Sequence, residues 1–287
     1  DMESGLRLGT QELSTVDSTW LFMGMAVAQG WFDREDEQET EIRTVAQRLL
    51  DRTEWDWVQA NSKGRKAISM GWSPEAGFVE RNWDGYNEGM PLYLLALGSR
   101  AHPAKDGAYE AWTAPFPDYW RGEAAKRHLS FGPHFAHQYG AVWIDYRGIY
   151  DATMRAAGFD YFENSRRATY AQRDYAVANP LGWEGYSKDI WGLSACDGPG
   201  DVVIDFKGKP TQFDGYAAYG PKGMPDEYDR GTLAPTAAVA SIPFAPEICI
   251  PAARALRDFQ GGRLYGPYGL FDAFNPSFRD TRVSLRS

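Results

Sequence analysis

Residues 13–32 read LSTVDSTWLFMGMAVAQGWF, and this stretch decides the fold class. Ser14, Thr15 and Asp17 supply a polar start of the kind that caps a helix. Trp20, Leu21, Phe22, Met23, Met25, Ala26 and Val27 would then cover almost the whole circumference of that helix. A helix apolar on every side belongs inside an assembly of helices. The next segment, 37–53, is patterned differently: Ile42, Val45, Ala46, Leu49 and Leu50 form one stripe, with charges opposite. The alternation of a buried helix and a half-exposed partner then recurs. The spacing predicts further helices over 87–97, 145–157, 161–178, 233–242 and 246–259. Gly158 caps one of them, Asn179-Pro180 stops another, and Pro243 separates the last two.

Helix pairs without a repeat of fixed period predict an all-α toroid more than a solenoid. No linker or composition shift marks a second domain, so 1–287 reads as one domain. The clear helices are fewer than the roughly twelve of a closed double ring, which predicts that terminal helices are missing. The segments 54–86, 179–232 and 260–287 are rich in Gly, Pro and aromatics, and long loops on a helical scaffold are where sites are assembled. Strand-like pieces at 66–70 and 202–206 predict small hairpins there, and an Arg-rich coil is expected to follow Ser277.

Aromatic residues make up 15% of the chain, and their faces stack on sugar rings as readily as on each other. A net charge of −9 with no basic run argues against nucleic acid and makes a neutral ligand more natural than an acidic polymer. Two cysteines, Cys196 and Cys249, define no disulfide framework and read as inert thiols. No apolar run is long enough to span a membrane.

Two segments concentrate chemistry. GWSPEAGFVERNWDGYNEGM at 71–90 carries Glu75, Glu80, Asp84 and Glu88 among Trp72, Phe78, Trp83 and Tyr86. Asp84 and Glu88 are four apart, which would set both on one face at a helix start, serving as caps or facing a sugar. The second, 134–170, carries Asp145, Asp151, Asp160 and Glu163, with Arg147, Arg166 and Arg167 nearby. Glycosidic cleavage needs one carboxylic acid to protonate the leaving oxygen and a second carboxylate to activate water or attack the sugar. Glu88 and Glu163 come from separate helices, which suits that division of labour. His134 and His137 are three apart, but nothing completes a metal site, and they read as hydrogen-bonding residues. Neither a serine nucleophile elbow nor a phosphate loop nor a dinucleotide fingerprint is present.

The strings STVDSTWLFMG, EIR, GWSPEAGF with WDGYNE, YLLALGS followed by HP, WIDYRG, DYFENSRRAT, WGLSACDGP, GTLAPTAAVASIPFAPE and GLFDAFN run through nearly the whole chain. In that order they resemble the glucoamylase-like domain family, which includes the endo-β-1,2-glucanases of glycoside hydrolase family 144. The cyclic β-1,2-glucan synthase glycosidase domain is a more distant relative. The resemblance implies an (α/α)6 toroid that cleaves linear β-1,2-glucan internally with inversion, in the periplasm or outside the cell, without metal or other cofactor. It implies Glu163 as general acid and Glu88, with Asp84, as the second carboxylate. Asp17, Trp83, Tyr86, Asn87, His137, Trp143, Arg147, Asn164, Trp191 and Asp197 would line the sugar subsites.

Three other readings stay open. A retaining β-1,2-glucan transglycosylase or cyclase would need its carboxyls about 5–5.5 Å apart, against about 6.5–9.5 Å for inversion. A polysaccharide lyase would use a Tyr and a His as base and acid, with Tyr139 and His137 the candidates. A non-catalytic glucan-binding protein would bind the oligosaccharide and release no reducing ends.

Overall fold

Ser14 opens the first helix as its sequence predicts: its hydroxyl accepts the Asp17 N–H at 3.3 Å. The computed structural model describes residues 3–4, 6–60 and 66–278. The Arg-rich stretch after Ser277 therefore falls, from 279 onward, outside the described residues. Contacts divide the chain into two compact units, Asp1–Asp118 and Tyr119–Ser287. Helices are the main regular structure in both, with one three-stranded and four two-stranded antiparallel sheets among the described residues.

In the first unit, α1 (Thr15–Trp31) packs on α2 (Glu37–Asp51), whose cap Asp36 accepts the Glu39 N–H at 2.9 Å. The short α3 (Trp55–Ala60) follows, then α4 (Met90–Gly98) and α5 (Ala108–Thr113). The expectation that α1 is buried all round is not met. Thr15 and Thr19 are its buried residues, while Leu21 is 60% and Val27 53% exposed. The unit's core lies elsewhere, where Tyr93 of α4 stacks on Trp112 of α5 at 5.3 Å and Trp112 meets Phe116 edge-on at 5.2 Å. The buried Tyr93 hydroxyl there is paired twice, donating to the Trp83 carbonyl at 2.5 Å and accepting the Ile68 N–H at 3.1 Å, while the Trp112 indole N–H is buried without a partner among the described residues.

The strand expected at 66–70 is displaced. That segment makes a single bridge, Ser69 to Asn82, and the strands are Gly71–Ser73 and Gly77–Phe78, with Leu13–Ser14 completing the sheet.

The second unit contains α6 (Ala152–Ala157), α7 (Tyr161–Ala178), α8 (Pro235–Val239) and α9 (Pro246–Asp258). The helix expected over 145–157 is reduced to its last six residues, because Asp151 is the N-cap and accepts the Met154 N–H at 2.7 Å. Gly158 ends it in the left-handed conformation at φ 80°, as its position predicts. Val202–Phe206 forms the expected hairpin, with Lys209–Phe213. Lys207 and Gly208 turn it with φ 54° and 78°, the two positive values that a tight primed turn demands. Ile248, Cys249, Ala252 and Leu256 give α9 a buried stripe, which joins Trp191, Leu193, Leu233 and Ala234 in the core.

Helix α7 is the organising element of this unit, and its buried face is unusual in being polar. Tyr161, Asn164, Ser165, Ala168, Thr169, Gln172 and Ala176 are buried at helical spacing. Asn164 acts as a substitute strand for Leu129, accepting its N–H at 2.7 Å and donating to its carbonyl at 3.0 Å. Ser165 donates to the His137 carbonyl at 3.0 Å. Gln172 accepts the Leu193 N–H at 3.0 Å and donates to the Gly132 carbonyl at 2.9 Å. These side chains supply the partners that backbone groups packed on α7 lack on that side. The helix is thereby fixed along its length, and so is whatever projects from its first turn.

Candidate active site

That first turn carries Glu163. Asp160 caps the helix, its Oδ1 accepting the Glu163 N–H at 2.8 Å and its Oδ2 the Gly148 N–H at 2.9 Å. An acid in the first turn faces the positive end of the helix dipole. Glu163 Oε1 accepts from Arg167 Nε at 2.7 Å, one helical turn on, while Oε2 approaches Arg166 Nε only to 4.0 Å. The side chain is 36% exposed. Next to it Phe162 packs on Phe244 at 5.3 Å, and the Arg147 guanidinium lies 5.6 Å from the Phe162 ring.

The other acids around this turn are committed. Asp151 caps α6 and takes the Tyr161 hydroxyl at 2.6 Å, and Asp160 has both oxygens on backbone. Asp145 grips Arg147 through both oxygens at 2.8 Å, and hydrogen bonds from that guanidinium hold its carboxyl below the usual range. Glu247 is paired with Arg166 at 2.5 Å and takes the Tyr170 hydroxyl. Those two bonds bring its carboxyl down to about 2. At the other end of the helix, Asp229, which sequence reasoning passed over, is buried beneath Tyr175 and Tyr186 at 2.8 and 2.7 Å, and burial pushes its carboxyl up. Glu163 is thus a partly exposed acid with one oxygen anchored by Arg167 and the other 4.0 Å from Arg166.

In the first unit, Asp84 and Glu88 are half-buried and lie in turns before α4. The shared helix face expected for them is corrected: α4 begins only at Met90, with Gly89 as N-cap and Pro91 in its first turn. Gly85 bends the chain between them at φ 79°, its N–H reaching the Trp112 carbonyl at 2.9 Å. Trp83, Tyr86 and Asn87 are buried. The Trp83 indole donates to Thr15 Oγ1 at 2.8 Å, Tyr86 meets Phe116 edge-on at 5.9 Å, and Asn87 accepts the Gly89 N–H at 2.9 Å. Glu75 is tied to Arg7 by two bonds of 2.7 and 2.9 Å. Asp17 is exposed on the first turn of α1.

Burial also sorts the remaining expected sugar contacts. Arg147 and Asp197 are exposed and Trp143 is half-buried. His137, Asn164 and Trp191 are buried in the core of the second unit. His137 Nε2 accepts the Phe131 N–H at 3.3 Å, so the ring that a lyase would use as base or acid is engaged by backbone. No cluster of three or more His, Cys, Asp or Glu among the described residues could hold a metal ion. Cys196 and Cys249 are buried free thiols, pushed up to about 12 by burial. No helix among the described residues is long and apolar enough to cross a membrane.

The structural place of Asn164 yields a prediction. Asn164→Ala is expected to leave the Leu129 N–H and carbonyl unpaired in the core and to lower stability by about 2–4 kcal/mol. Urea denaturation measures this. Unchanged stability with a raised KM would return Asn164 to the sugar-contacting set.

Comparison with known proteins places these residues in context. The family model described as Glycoamylase, putative glucoamylase, matches residues 80–286. The chain is similar to the exo beta-1,2-glucooligosaccharide sophorohydrolase (non-reducing end) of Parabacteroides distasonis, at 28% identity, covering 91% of this chain and 36% of that protein. A solved putative glucoamylase from Bacteroides uniformis superposes with a TM-score of 0.76 at 30% identity, over 92% of this chain and 60% of the other. An endo-beta-1,2-glucanase from Chitinophaga pinensis, solved with sophorotriose and glucose, gives a TM-score of 0.73 at 25% identity, with the same 92% and 60% coverage. The chain therefore spans about a third of the curated relative and three-fifths of these two structures.

Proposed function

The chain belongs to the Glycoamylase (putative glucoamylase) family, and from that premise we propose that it is a glycoside hydrolase cleaving linear β-1,2-glucan internally, with inversion, to release sophoro-oligosaccharides. The proposed scaffold is the (α/α)6 toroid, and the proposed location is the periplasm or the cell exterior, which cell fractionation tests. Two of the similar proteins carry names that specify β-1,2-linked glucans, which supports this substrate class. The observation that carries the reading is Glu163. It is a partly exposed acid on a rigid helix, one oxygen anchored by Arg167 and the other 4.0 Å from Arg166, beside the ring of Phe162.

In this reading Glu163 protonates the glycosidic oxygen as the bond breaks, and a second carboxylate activates the attacking water. Glu88 is assigned that second role, with Asp84 assisting, on the strength of the WDGYNE string at 83–88. No metal or cofactor enters the scheme.

Incubating the full-length protein with linear β-1,2-glucan, and following reducing ends and anomeric configuration by NMR, tests the reading. Sophoro-oligosaccharides of inverted configuration are expected. Retained configuration would indicate a transglycosylase, an ultraviolet-absorbing product a lyase, and binding without new reducing ends a glucan-binding protein. Glu88→Gln is expected to cost about 10²–10⁴-fold in kcat. Near-normal turnover would remove Glu88 from the pair.

A further inference from the structure

Glu163 and Arg167 stand at i and i+4 on α7, and an exposed pair at that spacing contributes little to stability. This pair is built differently, because the arginine is itself held from three sides. Its guanidinium carbon sits 3.9 Å from the centre of the Phe159 ring, its Nη1 donates to the Arg127 carbonyl at 3.0 Å, and its Nε donates to Glu163 Oε1 at 2.7 Å. The supports are fixed in turn. Phe159 is buried and meets Trp120 edge-on at 6.0 Å, and the Arg127 guanidinium lies 4.3 Å above that same Trp120 ring. A stacked and hydrogen-bonded guanidinium has little rotamer freedom left, so the carboxylate oxygen it holds has little either.

Arg166 provides the contrast. It sits at i+3 from Glu163, but its Nη2 is given to Glu247 at 2.5 Å and its Nη1 to the Phe244 carbonyl at 2.8 Å. Its Nε remains 4.0 Å from Glu163 Oε2. The two arginines thus divide the work: Arg167 fixes one oxygen of Glu163, and Arg166 is tied back to α9 and leaves the other oxygen available.

We propose that Arg167 is a positioning residue, which holds the Glu163 carboxyl so that Oε2 is the oxygen presented to a glycosidic bond. The proposal rests on the reading of Glu163 as the proton donor. A glutamate has three side-chain torsions, and an error of about 1 Å in a reacting group can cost about 10²-fold in rate. Loss of the anchor therefore acts on turnover, because Arg167 itself need not touch the sugar.

The experiment compares Arg167→Ala, Arg167→Lys and Glu163→Gln in the full-length protein, with kcat and KM measured on linear β-1,2-glucan with and without added guanidinium chloride. Arg167→Ala is expected to lower kcat by about 10- to 100-fold with KM within about threefold of the wild type. Millimolar guanidinium, or the lysine replacement, is expected to restore part of that loss, and guanidinium is expected to restore nothing to Glu163→Gln. A kcat for Arg167→Ala close to the wild type overturns the proposal. So does a loss that neither guanidinium nor lysine repairs, which would assign Arg167 to folding alone. Near-normal activity of Glu163→Gln is a separate outcome, which removes Glu163 as the acid and leaves the anchor without a catalytic object.

Discussion

Glu163→Gln is expected to lower kcat on linear β-1,2-glucan by about 10²–10⁴-fold, the range associated with loss of a general acid, with little change in KM or in the unfolding midpoint. The size of the effect follows from the commitments of the surrounding carboxylates. Asp145 has both oxygens on Arg147, and Glu247 accepts from both Arg166 and Tyr170, so neither is placed to take over. Asp151 and Asp160 spend both oxygens on caps and neighbouring donors. None of these four acids stands ready to replace Glu163. Stability should survive because glutamine keeps an oxygen for Arg167, and because the cap bond from Asp160 engages the backbone N–H and not the side chain. The measurement is steady-state release of reducing ends beside a thermal melt. Turnover within a few-fold of the wild type would falsify the assignment of Glu163, whatever the substrate proves to be.

Much of this site could be read from the sequence because its elements obey local rules. Helix α7 runs over Tyr161–Ala178, the limits predicted by the Gly158 cap before it and the Asn179-Pro180 stop after it. Arg166 and Arg167 follow Glu163 at i+3 and i+4, a spacing that places all three on one side of a helix. Glu247 was the missing member, since nothing local links residue 247 to residue 166. The role of Asn164 was hidden for a related reason. A polar residue beside Glu163 reads as a sugar contact, and only the path of the chain around Leu129 turns it into a backbone partner.

The shared helix face expected for Asp84 and Glu88 failed for a local cause, because the helix starts only at Met90, after Gly89, and Gly85 bends the chain at φ 79°. Helix α1 shows the limit of periodicity. An apolar circumference states what a helix could bury, but not how much of it finds cover within the described residues.

The second large effect expected is acid lability, and it comes from the histidines packed beside α7. The hydroxyls of Thr169 and Ser241 donate to the Ser165 and Ala237 carbonyls, each at 2.8 Å. Both are therefore left as acceptors for His134 Nε2, at 3.1 and 3.0 Å, which places the ring proton on Nε2. His134 Nδ1 is buried and has no hydrogen-bond partner among the described residues, so a second proton there would create a buried charge without compensation. Burial accordingly drives His134 down to about 3, with neighbouring His128 adding to the effect. His137 is also driven well below its usual range by burial and by the nearby rings, and its Nε2 is already an acceptor for Phe131.

The unfolded chain takes up these protons near pH 6.5 and the folded chain does not, so stability falls as pH falls below that value. His134 alone is expected to cost about 2 kcal/mol between pH 7 and pH 5. His134 and His137 together should contribute a slope of about 2.4 kcal/mol per pH unit between pH 5 and 6, close to the limit for two protons bound on unfolding. Urea denaturation across that window measures the slope, and His134→Gln should remove about half of it while offering its amide donor to the same two hydroxyls. A flat profile between pH 5 and 6 would mean that these rings are already protonated in the folded protein. In that case the polar face of α7 would rest on charged pairs and not on the neutral hydrogen-bond network that fixes Glu163 in place.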